Sequence, residues 1–259
     1  MSKQRHLLRF LIPFAIVSVA LADVEVATAK KHPLSNDVRQ RIRNEAEQTI
    51  RKATARIEKD ATDLDAYSQR GDASFFLGKF REAVADYDRM TELNSELKSS
   101  HWRRGIALFY AGRYEDGAKQ FEAYHSFDDV DRENGIWRYL CQRKAFGQKK
   151  AREGLLKYKK DDREPFPDVY RLFAGDITGE EILKRIEAAK VSDDEREKRR
   201  FYAELYIGLN DIVEDRIDSA RIHFRQSTAN KWGPRAGYGP NYMWHVGRLQ
   251  YQLLIKSAK

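Results

Sequence analysis

The sequence predicts an all-α protein: a helical-repeat solenoid with an irregular middle section and a C-terminal capping helix. Three observations carry this. The phrase QRGDASFFLGKF at residues 69–80 returns 34 positions later as RRGIALFYAGRY at residues 103–114. No proline stands between Pro33 and Pro165, a run that favours helices because an interior proline costs a helix about 3 kcal/mol. The chain is 34% charged and 41% hydrophobic, which suits a thin, surface-rich stack of helices better than a compact α/β enzyme.

Residues 1–22 have the parts of a secretory signal peptide. Lys3, Arg5 and Arg9 give the positive start, LIPFAIVSVALA at residues 11–22 the apolar run, and Ala20-Leu21-Ala22 a cleavage site after Ala22. That run is shorter than the roughly 20 apolar residues of a membrane span; an uncleaved anchor is the competing reading. No cysteine follows to carry a lipid anchor. The expectation is an exported, soluble chain of the periplasm or cell envelope. The formal charge of +8 is spread over a chain rich in both signs. Nucleic-acid binders concentrate their charge, so no nucleic-acid partner is expected. Cys141 is the sole cysteine, which excludes an intrachain disulfide.

A polar linker at residues 23–36 leads to an N-terminal helical segment at 37–63. There Val38, Ile42, Ala46, Ile50 and Ala53 recur near helical spacing, with Ser35 or Asn36 as cap. Two regular helical pairs occupy residues 64–131. A shift of 34 residues carries Gly71 onto Gly105, Phe75 onto Phe109, Gly78 onto Gly112, Phe80 onto Tyr114, Ala83 onto Gly117 and Tyr87 onto Phe121. Two helices approach closely only where one carries a glycine or alanine, and the facing aromatic fills the groove beside it. The second glycine ends the first helix in a conformation other residues adopt reluctantly.

The later segments keep the pattern less faithfully. Residues 132–200 form an irregular helical section. It holds a helical pair at 134–158 turning near Gly147, a break at Glu164-Pro165-Phe166-Pro167, and a helix at 176–190 with Ile182, Leu183 and Ile186 inward. A degraded third copy lies in 201–232, with Gly208, Ala220 and Phe224 at the packing positions and Asp215 where the turn glycine belongs. The glycine- and proline-rich stretch from Lys231 to Pro240 breaks the chain, within a final segment at 233–259. Its last helix, 241–256, carries Met243, Val246, Leu249, Leu253 and Leu254 at helical spacing. It caps the final repeat, as every solenoid needs; self-association through its apolar face is the alternative.

A period of 34 with small and aromatic residues at these places resembles the tetratricopeptide repeat, a helix–turn–helix unit. From about Ala66 to Asn230 the order of parts also resembles the NlpI family of bacterial envelope proteins. It includes RRGIALFYAGR, IWRYL at residues 136–140, the irregular middle and IDSARIHF at 217–224. The resemblance implies an adaptor, often a homodimer, that docks proteases and cell-wall hydrolases. Members of that family carry a lipid-modified cysteine at the mature N-terminus, and this chain has none there.

The expected function is therefore non-catalytic: a scaffold that captures a partner protein or peptide on the concave face lined by the first helix of each pair. The inward positions there are Ser68, Asp72, Phe75 and Phe76, then Trp102, Ile106, Phe109 and Tyr110. Phe76, Trp102 and Tyr110 are the chosen anchors, because exposed aromatics dominate such interfaces. Phe75, Phe109 and Ile106 join them, although Phe75 and Phe109 fit equally well as packing aromatics. Some repeats of this kind grip a peptide's terminal carboxylate with lysine and asparagine; Ser68, Asp72, Trp102 and Ile106 hold those places here. No cofactor and no metal site is expected, since no two histidines stand at i, i+4 and no second cysteine exists. An exported hydrolase using Cys141 or an unrecognised carboxylate is the alternative. The basic residues of 149–152 and 157–163, with Tyr158 among them, read as a solvated face or a meeting place for anionic polymer.

Overall fold

The computed structural model describes residues 32–160 and 162–257. The expected signal peptide and the linker up to residue 31 lie outside the described residues. Ser35 opens the helical body: its Oγ accepts the Val38 N–H at 3.3 Å and caps α1 (Asn36–Lys59). Of the apolar series on α1, Ala46 and Ala53 are buried and Val38 is exposed. The chain is all-α; among the described residues there are thirteen α-helices, one 3-10 turn and no strand.

After α1 come α2 (Leu64–Phe76), α3 (Phe80–Leu93), the short α4 (Leu97–Ser100), α5 (Trp102–Tyr110) and α6 (Tyr114–His125). Three hairpins share one internal construction: α2–α3, α5–α6, and α11 (Asp193–Val213) with α12 (Ile217–Ala229). In each, a glycine on the first helix lets an aromatic from the second lie against the backbone. A Cβ on Gly71 would meet the Tyr87 ring at 2.6 Å, on Gly105 the Phe121 ring at 2.5 Å, and on Gly208 the Phe224 ring at 3.0 Å. The turns match as well. Gly78, Gly112 and Asp215 stand at φ +76°, +79° and +59°. The next N–H bonds back to Ser74, Leu108 and Asp211 at 2.9, 2.9 and 2.8 Å, a Schellman closure that satisfies carbonyls the first helix leaves open. Asp215 takes the left-handed turn without being glycine, one of the few residue types able to.

The hairpins nest on their neighbours. α1 lies on α2, α3 on α5, and α6 on α7 (Arg132–Phe146). The small residue of α6 explains the last contact: a Cβ on Gly117 would stand 2.8 Å from Cys141 Sγ. Arg70 and Arg104, equivalent by the repeat, tie their hairpins together, Arg70 to Asp86 at 2.7 Å and Arg104 to Gln120 at 2.8 Å.

The middle section departs from the sequence expectation in three places. The helix after Gly147, α8 (Gln148–Glu153), stops well short of Tyr158, and among the described residues from there to Pro165 none is helical. The Pro165-Phe166-Pro167 break is itself a start, because proline fits a first helical turn whose N–H groups need no partner; α9 (Phe166–Ala174) begins there. The helix expected at 176–190 is α10 (Gly179–Ala188), opened by a Thr178–Glu181 capping box. Ile182 and Ile186 are buried and Leu183 half-buried. α11 begins at Asp193, eight residues before the expected third copy, because Ser192 caps it and its acidic first turn suits the N-terminal end of the helix dipole.

The last helix, α13 (Tyr238–Lys256), packs on α12. Trp244 Nε1 donates to the Thr228 carbonyl at 3.0 Å. Of its expected inward residues, Met243, Val246, Leu249 and Leu254 are buried, but Leu253 is exposed. α13 also reaches across to α2, a contact the sequence pattern does not announce.

Candidate partner-binding site

The face formed by α2 and α5, expected to be an open groove, is largely occupied by α13. Tyr242 stacks on Phe75 with ring centroids 4.9 Å apart and meets the Trp102 ring edge-on at 5.0 Å. His245 stacks on Phe76 at 3.9 Å. Polar contacts fix the arrangement. Arg248 donates to the Phe76 carbonyl at 2.7 Å, the Tyr87 and Tyr242 hydroxyls lie 3.4 Å apart, and the Tyr238 hydroxyl donates to Asp72. Burial lowers His245 well below the ordinary histidine range, helped by the neighbouring Arg248, so the ring stacks as neutral imidazole. A fully buried large side chain contributes about 2 kcal/mol, and Tyr242 is 0% exposed.

This occupation sorts the six expected anchors. Phe75, Ile106 and Phe109 are buried in the core; their faces meet this chain's own side chains. Phe76 meets Tyr242 and His245 and, half-buried, keeps part of its ring on the openings beside α1. Tyr110 lies between Phe80 and Phe75, its hydroxyl buried and its pKa raised by that burial. Trp102, half-buried, faces open space, and Ile106 presents its edge to the same space.

That space is a cavity of about 380 Å³ between α5, α6, α7, α11 and the start of α13. Trp102, Tyr124, Trp137, Tyr202 and Trp232 supply its aromatic walls, with Ile106, Pro240 and Met243. Asp131, Glu133 and Arg163 close one end. Local structure places each. Asp131 is the N-cap of α7 and accepts the Glu133 N–H at 3.0 Å, which sets both carboxylates on the helix's first turn. Arg163 enters from the non-helical run before Pro165. It donates to Glu133 and pairs with Asp162 at 3.0 Å and Asp131 at 3.6 Å. Its guanidinium lies 4.3 Å over the Phe166 ring and 5.4 Å over that of Tyr202. The Tyr206 hydroxyl donates to the other Glu133 oxygen.

The electrostatics follow from burial and crowding. Glu133 is pushed up to about 7, first by burial and then by Asp131 and Asp162, against the pull of Arg163 and Tyr206. Asp131 is raised by burial, with Asp162 adding to it and Arg163 opposing. Burial alone would lower Arg163, but Glu133, Asp131 and Asp162 together raise it. Lys198, also on the cavity wall, is paired with Glu195 at 3.0 Å.

Sequence reasoning missed most of this wall. Arg163 belongs to the basic run read as solvated, yet it turns inward; Trp232 lies in the glycine- and proline-rich break, and Tyr202 opens no repeat position. The one signal present was the Asp131-x-Glu133 spacing ahead of the IWRYL block, a cap with an acid behind it. Elsewhere, Cys141 is 0% exposed and burial raises its thiol, which keeps it from the thiolate form that attacks or binds metal. His223 lies 2.6 Å from Glu204. Among the described residues no group of three or more His, Cys, Asp or Glu could hold a metal ion, and no helix is long and apolar enough to cross a membrane. No family model matches the chain.

Proposed function

We propose that the chain is an exported tetratricopeptide-type adaptor that holds a partner polypeptide at the cavity beside Trp102, without catalysis of its own. The observation that carries the reading is that cavity: about 380 Å³, walled by aromatic side chains and ended by charge, as side-chain-capturing pockets at protein interfaces are. Support for the repeat assignment comes from three hairpins with one glycine–aromatic contact and one turn. The α2–α5 face already accepts a helix, this chain's own α13, so its chemistry suits polypeptide. The partner's segment then enters over Lys198 and Trp232 rather than along Phe75 and Phe76.

The test is site-specific photocrosslinking in the cell of origin. A benzoylphenylalanine placed at Lys198 should join a second polypeptide, whereas the same group at Phe146, 51% exposed and nine residues along α7 from the cavity residue Trp137, should not. Trp102→Ala should reduce the Lys198 product severalfold. Equal products from both positions, or none from Lys198, would overturn the proposal.

A further inference from the structure

We propose that the cavity takes a cationic side chain, lysine or arginine, from the bound partner segment. This rests on the adaptor reading and names what the partner presents. The acidic end is the first argument: three carboxylates, Asp131, Glu133 and Asp162, share the Arg163 guanidinium. Arg163 is committed to those three and Lys198 shares Glu195 with Arg199, so it is at the Arg163 end that carboxylates outnumber cations and an incoming anion would meet a surplus of negative oxygens. The aromatic walls are the second argument. Trp102 and Trp232 line the cavity with rings whose negative quadrupole attracts a cation, and the Tyr202 ring already holds the Arg163 guanidinium in that way. Such a side chain also lays an apolar stem against Met243 while its charged head reaches the carboxylates.

The site carries its own pH dependence. Glu133 faces Asp131 on α7, Asp162 and Arg163 from the preceding run, and Tyr202 and Tyr206 on α11; Tyr124 and Lys198 complete the titratable lining. With its carboxyl pushed up to about 7, Glu133 is charged above that pH and neutral below it. A cation therefore binds more tightly as pH rises from 6 to 8.

Fluorescence polarisation with the purified protein tests this, using hexapeptide pools with blocked ends and one fixed position: arginine, lysine, citrulline, leucine or glutamate. Arginine and lysine pools should bind about tenfold tighter than citrulline, the scale of a charge-assisted contact, and tighter at pH 8 than at pH 6. Asp131→Asn keeps the helix cap, since asparagine caps as well as aspartate. Alone or with Glu133→Gln, it should shrink the preference to about twofold or less in a protein that still unfolds cooperatively by circular dichroism, the double variant losing the pH response too. Leucine or citrulline pools binding as well as arginine, or a preference for glutamate, would sink the cationic assignment and leave the adaptor reading standing. A failure of every pool to bind would remove both.

Discussion

The hairpins α5–α6 and α11–α12 are built alike but from different residues. The first has glycine at both the helix contact and the turn; the second keeps Gly208 at the contact and puts Asp215 in the turn. Both close with the same back-bonded geometry, at 2.9 and 2.8 Å. The difference teaches that two glycines of one repeat serve separate physical demands. Gly105 is required by space, because a methyl group there would stand 2.5 Å from Phe121. Gly112 is required by conformation alone, since a Cβ there meets nothing within 4 Å but the backbone is left-handed. A turn can borrow aspartate; a helix crossing at that distance cannot borrow a methyl.

The strongest way to break this comparison is Gly105→Ala. Better helix propensity returns about 1 kcal/mol, but forcing Phe121 aside costs up to about 3 kcal/mol. Urea unfolding should show a net loss of about 2 kcal/mol. Gly208→Ala, whose Cβ meets Phe224 at 3.0 Å, should lose less than half as much; equal losses would mean the aromatic contact does not discriminate. Next is Gly112→Ala, which adds no clash and should cost about 1 kcal/mol for the left-handed turn, seen as a lower melting temperature. The smallest effect sharpens the comparison from the other side. Asp215→Gly should stabilise by about 0.5 kcal/mol, because glycine adopts φ +59° without strain. A loss there would show that the aspartate side chain supports the turn.

The same distinction separates the regular hairpins from residues 132–192. Glycine–aromatic pairs dictated where α2, α3, α5 and α6 meet, and they were legible at residues such as Gly71 and Tyr87 because each repeats. In the middle section the ends of helices are set by single capping residues, Asp131, Thr178 and Ser192. Their partners differ each time, so no period announces them. Arg163 shows the limit most plainly. Among lysines and arginines it looked solvent-bound, and only the approach of α7 and α11 supplies the carboxylates and aromatic rings that draw it inward.

What the sequence by itself determined is the all-α class, the three repeated hairpins, the turn positions and the burial of Tyr87, Phe121 and Phe224, because contacts inside a hairpin lie within two dozen residues of each other. What only the tertiary structure decided is which surface stays open to a partner as a candidate site. α13 crosses from α12 to α2 and fills the face the repeats alone would leave open. The cavity beside it gathers Trp102, Glu133, Arg163, Tyr202 and Trp232 from distant parts of the chain. Period and spacing report neighbours along a helix or across a turn; they carry no record of which far surface is buried when distant helices pack together.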